Sequence, residues 1–70
     1  MAWNHRLIKR THDTGVFYAI HEVYYDESGK PESITENPVS ISEHSKSDVM
    51  TTLRRMERAL TMPTLNYEDF

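Results

Sequence analysis

The side chains best able to do chemistry in this 70-residue chain are four histidines, eleven carboxylates and a late group of cations. His5, His21 and Glu36 would fall in one row across three strands in the register developed below. Two imidazoles and a carboxylate are legitimate zinc ligands, and equally an acid–base pair. Their spacing matches no named motif. A strand histidine at the edge of a core, with one nitrogen satisfied, is the more ordinary reading. The row would also face a covering helix, which leaves little room for substrate. No metal site, no catalytic residue and no cofactor is therefore expected. His12 lies in a turn and His44 beside a helix start, where imidazoles are solvated or act as caps.

The other charged groups are judged in the same way. Glu22, Asp26 and Glu27 cluster near a hairpin but lack the twelve-residue pattern of a calcium loop. Lys46, Arg54, Arg55 and Arg58 give a basic outer face to a helix, which could touch nucleic acid or an acidic partner. A solvated face balanced by Glu57, Glu68 and Asp69 is the plainer alternative. The net charge of -3, from 8 Lys and Arg against 11 Asp and Glu, argues against a general nucleic-acid binder. Gly15 and Gly29 are the only glycines, so no phosphate-cradling loop exists, and no serine or threonine sits in a nucleophile elbow. These absences point to a protein that is not an enzyme.

Length bounds what can hold such groups in place. Seventy residues make one domain near the lower limit for a chain stabilised by its own core. There is no cysteine, so neither a disulfide nor a thiolate metal site can help. Self-association is the expected remedy for a thin core. No apolar run approaches a membrane span, and Met1–Arg6 lacks the apolar core of a signal peptide. The expectation is a soluble cytoplasmic protein.

The elements read in order. Trp3–Arg10 predicts a first strand, and Thr11–Gly15 a turn. Val16–Tyr25, dense in β-formers, predicts the second strand. Asp26–Pro31 is a hairpin-length loop with Gly29 free to take positive φ. Glu32–Glu36 predicts a short third strand, ended by Asn37-Pro38. Ser45 followed by Asp48 has the spacing of a capping box and opens a helix running to Leu60. Asp48 in its first turn and Arg54, Arg55 and Arg58 toward its end suit the helix dipole. Val49, Leu53, Met56 and Leu60 form its apolar stripe. Residues 1–62 then make one ββ(β)α domain. Residues 63–70 make a tail whose Leu65, Tyr67 and Phe70 should dock at least in part.

A first turn centred near Asp13 would pair residues whose numbers sum to 26, setting Trp3 opposite Val23, His5 opposite His21 and Leu7 opposite Ala19. A second hairpin summing to 57 would set Ile34 opposite Val23. Trp3, Leu7, Phe17, Ala19, Val23 and Ile34 would then face the helix. Asn4, Arg6, Ile8, Tyr18, Ile20, Glu22 and Tyr24 would form the other face. The expected fold is α+β, a three-stranded antiparallel meander in order 1-2-3 with one C-terminal amphipathic helix on one face. One helix cannot cover both faces of the sheet. Ile8, Tyr18, Ile20 and Tyr24 are therefore the expected protein contact, with a second copy or another protein.

Trp3-Asn4-x-Arg6-x-Ile8, Ile20-His-Glu-Val-Tyr-Tyr-Asp26, Gly29-Lys-Pro31, Thr35-Glu-Asn-Pro-Val39 and Leu53-x-x-Met56-x-x-Ala59-Leu60 resemble a small uncharacterised bacterial protein family. The resemblance spans nearly the whole chain, and Ile20–Asp26 is its most specific part. Ser42-Glu43-His44 departs from it, because a glycine-containing turn is common there. The resemblance implies a bacterial setting and no activity.

Overall fold

The computed structural model describes residues 2–70. The chain is α+β, with one α-helix and a mixed four-stranded sheet. The strands are β1 (Trp3–His12), β2 (Gly15–Tyr25), β3 (Pro31–Ile34) and β4 (Leu65–Asn66), and the helix is α1 (Lys46–Ala59). A 3-10 turn, Tyr67–Asp69, follows β4. The sheet order is β3-β2-β1-β4. Strands β1, β2 and β3 form an antiparallel meander. Strand β4 adds a fourth member beside β1, parallel to it, and this corrects the three-stranded expectation.

Ser45 caps the helix, its hydroxyl accepting the Asp48 N–H at 3.1 Å. The helix packs along β1 and buries Ala59 completely, with Val49, Thr52 and Met56 half-buried above it. This stripe runs i, i+3, i+7, i+10. It is rotated from the predicted one, so Leu53 and Leu60 lie exposed. Leu60 has left the helix proper, as its N–H turns back to the Glu57 carbonyl.

The first hairpin corrects the predicted register. Its pairs sum to 27: Trp3 faces Tyr24, His5 faces Glu22, Arg6 faces His21 and Ile8 faces Ala19. The turn is Asp13-Thr14, neither residue has positive φ, and Gly15 takes the unusual conformation at φ 143°. A shift of one residue turns every β1 side chain to the other face relative to β2. One face therefore carries Asn4, Arg6, Ile8 and Arg10 with Phe17, Ala19, His21, Val23 and Ile34. The other carries Trp3, His5, Leu7 and Lys9 with Tyr18, Ile20, Glu22 and Tyr24. The second hairpin pairs Val23 with Ile34, a sum of 57, with an irregularity between Tyr24 and Tyr25.

The core is small. Ile8, Val23 and Ala59 are the only buried hydrophobic residues among those described, joined by His5, Arg6 and His21. Part of its cover is the C-terminal segment. Leu65 pairs beside Ile8, and Glu68 accepts the Thr11 N–H at 2.8 Å. The Arg10 guanidinium lies 3.8 Å over the Tyr67 ring, a cation–π distance.

Candidate functional site

Tyr18, Ile20 and Tyr24 share a face, because they alternate along β2. Tyr18 is 60 % exposed, whereas Ile20 and Tyr24 are half-buried. Ile8 does not belong with them. It points to the opposite face with no exposure, and Trp3 and Leu7 occupy the positions it was expected to fill. Trp3, exposed, meets His5 edge-on at 5.4 Å. The Tyr24 hydroxyl donates to Glu22 at 2.9 Å, and that carboxylate acceptor holds the phenol above its ordinary pKa. The patch is therefore aromatic at both ends, with a hydrogen-bonded acidic margin.

The predicted basic face divides. Arg55 and Arg58 line a hollow of about 510 Å³ with Trp3, Asn4, His5 and Met62. Arg54 is exposed on the adjoining side of the helix. Lys46 sits at the opposite helix end, roughly 18 Å along the axis from Arg58 at the standard rise. Two guanidiniums, an indole and an imidazole around one hollow can receive an anion with an apolar or planar part.

His5, His21 and Glu36 are not brought together. His5 and His21 lie on opposite faces, a direct consequence of the one-residue register difference. His21 is buried, its Nδ1 3.0 Å from the Thr35 carbonyl, which fixes that nitrogen as the donor. Among the described residues no group of three His, Asp or Glu side chains is placed to hold a metal ion. Glu22, Asp26 and Glu27 also do not act together. Asp26 accepts from the Lys30 N–H, the Ser28 hydroxyl and the Ser28 N–H, and its pKa is lowered, first by the Lys30 bond. It organises its own turn.

Two features were not foreseen. Arg6, 9 % exposed, donates from Nη1 to the Tyr25 hydroxyl at 2.9 Å and from Nη2 to the Pro63 carbonyl at 2.7 Å. Tyr25 in turn donates to Asn4 at 2.7 Å, and the Arg6 Nε is buried without a partner. These contacts tie the start of β1 to the segment after the helix. The only sequence signal was the parity that sets Arg6 beside His21 and Tyr25. The second feature is the far end of the first hairpin, where every residue from Thr11 to Tyr18 is exposed, including Val16 and Phe17.

No helix is long and apolar enough to cross a membrane among the described residues. The chain matches no family model, no curated protein and no solved structure.

Proposed function

We propose that this chain is a non-enzymatic protein-interaction module, of cytoplasmic and bacterial setting, whose contact face carries Tyr18, Ile20 and Tyr24. The observation that carries the reading is a mismatch of surface and core. Among the described residues three hydrophobic side chains are buried, while nine large ones stand exposed. A folded chain of 8.2 kDa is expected to expose roughly 4,500 Å². This one exposes 5324 Å². Its radius of gyration is 12.8 Å. A compact chain of this length would have roughly 11 Å. Large apolar side chains left exposed on an extended chain support a contact role. The test is the double substitution Tyr18→Ser, Tyr24→Ser. The expected result is loss of the assembled state, by solution mass or partner capture, with an unchanged circular dichroism spectrum. Retention of the same assembly by a folded double variant refutes the reading.

A second reading rests on the hollow between the helix end and β1. Arg55 and Arg58 there support binding of an acidic partner or nucleic acid, with Lys46 and Arg54 further from the centre. It requires salt-sensitive binding that reversal of Arg54 and Arg55 to Glu abolishes. Unchanged affinity after reversal removes it.

A further inference from the structure

Strand β2 is paired along its whole length with β1, but only in part on its other side. The Tyr25 N–H donates to Ala2 across β1, so odd-numbered residues of β2 aim their main-chain groups at β1 and even-numbered ones aim away. Glu22 and Ile20 use their outward carbonyls, accepting from Thr35 at 3.1 Å and Val39 at 3.0 Å. Tyr18 and Val16 have no backbone partner on that side among the described residues. Gly15–Ala19 is thus an open strand edge, and Val16, Phe17 and Tyr18 on it are 47, 52 and 60 % exposed. The usual protections are missing. No Lys, Pro or bulge falls within it, and no Asp, Glu, Lys or Arg stands between Asp13 and Glu22.

We propose that two copies of this chain join at this edge, strand to strand and antiparallel, about a two-fold axis through Phe17. The parity of the strand selects the register. The free main-chain groups belong to Val16 and Tyr18, so satisfying them sets Val16 opposite Tyr18 of the second copy and Phe17 opposite its own counterpart. The N–H of Val16 donates to the carbonyl of the second copy's Tyr18, the Tyr18 N–H returns a bond to Val16, and the two-fold repeats both. The Phe17 pair is the non-hydrogen-bonded one, with Cα atoms about 4.5 Å apart, so the rings meet on the axis. Pairing stops where Ile20 is already engaged by Val39 on one side and the Asp13-Thr14 turn on the other.

A second copy is the occupant because the segment is its own complement. It is apolar, it carries no charge to oppose itself, and a two-fold contact closes at two chains. The inference rests on the interaction-module reading and names its partner, but it uses the strand edge and not the Tyr24 end of the face.

The experiment measures solution mass for the full chain and its variants across a dilution series. The wild type is expected at twice the 8.2 kDa chain mass. Phe17→Glu and Phe17→Lys are each expected at the single-chain mass, since each places like charges on the axis, and an equimolar mixture should regain the doubled mass. Tyr18→Pro should also be a folded monomer, because the N–H it removes points away from β1. Circular dichroism and backbone NMR establish that each variant is folded. A wild type at the single-chain mass throughout overturns the proposal, as does a mass that climbs without stopping at two. So does a dimer that persists in both charge variants. If such a dimer is lost only in Tyr18→Ser, Tyr24→Ser, the interaction module stands and the edge is refuted.

Discussion

Shortening Ile8 to Val removes one methylene-sized group from a site with no solvent exposure. Ile8 packs beside Ala19 across the ladder and beside Leu65 of β4, so the gap has cover on both sides and little room to collapse. Such a deletion costs about 0.5–1.5 kcal/mol. A chain of this length has roughly 4–10 kcal/mol in total, and three buried hydrophobic residues place it toward the lower end. The melting temperature should fall by roughly 4–8 °C per kcal/mol lost. Leu60→Ala is the matched control. It removes more apolar volume, but from a side chain 62 % exposed, and the cost should lie within about 0.5 kcal/mol. Urea unfolding of both variants, at dilutions where the chain is monomeric, compares midpoints at constant slope. A larger loss for Leu60→Ala than for Ile8→Val would refute the register, because it would put the helix stripe on Leu60 and return Ile8 to solvent.

Ser45→Ala removes the hydroxyl that accepts the Asp48 N–H and should cost about 1 kcal/mol; helical circular dichroism during urea unfolding reads it, and an unchanged midpoint means that the cap contributes nothing. The Glu68 pKa is lowered, chiefly by the Thr11 N–H it accepts. A depressed carboxylate pKa stabilises the fold above the ordinary carboxylate range, and the contribution is lost as pH falls through the depressed value. Acid should therefore release the tail before the sheet, seen as a shift of the Tyr67 ring signals away from Arg10, and Glu68→Gln should remove that step. A Tyr67 environment that stays fixed until global unfolding refutes the assignment. Gly29 has φ 82° with open space around its missing Cβ. Gly29→Ala should then cost about 1–2 kcal/mol from backbone strain alone, whereas an unchanged thermal midpoint would argue against that conformation.

The α+β class, the single helix with its Ser45 cap and the second hairpin's register were legible because each depends on local chemistry. A hydroxyl three residues before Asp48 and a glycine in a short loop act within a few residues of themselves. The first hairpin was not legible to the same precision. Thr11-His-Asp-Thr-Gly15 is turn-forming throughout, and nothing in it distinguishes a turn centred on Asp13 from one centred between Asp13 and Thr14. That half-step decides which face each β1 side chain takes. It moves Ile8 into the core, separates His5 from His21 and brings Trp3 to the side of Tyr18. The helix stripe slipped for a different reason. Leu53 and Leu60 satisfy the same period as Met56 and Val49, and only the approach of β1, which touches the Ala59 side, selects between them. Strand β4 had no strand signal, although Leu65, Tyr67 and Phe70 marked the tail as a docking segment. Two residues following Pro63 form it because β1 presents an open edge there.

The composition of the core explains why so much of this fold rests on ties between distant segments. Where a larger domain would have aliphatic layers, Arg6 holds Tyr25 and Pro63, Asn4 meets Met62, and Arg10 covers Tyr67. Hydrogen bonds to a charged group contribute about 1.5–3 kcal/mol each, but a buried guanidinium without a carboxylate also carries a desolvation cost. The Arg6 Nε, buried and unpartnered, adds to that cost. These ties fix which segment lies where more than they raise total stability. Stability must then come from apolar surface, and among the described residues nine large apolar side chains stand exposed. Binding to the folded state alone stabilises it by mass action. The proposed assembly through Val16, Phe17 and Tyr18 would stabilise the folded chain in this way.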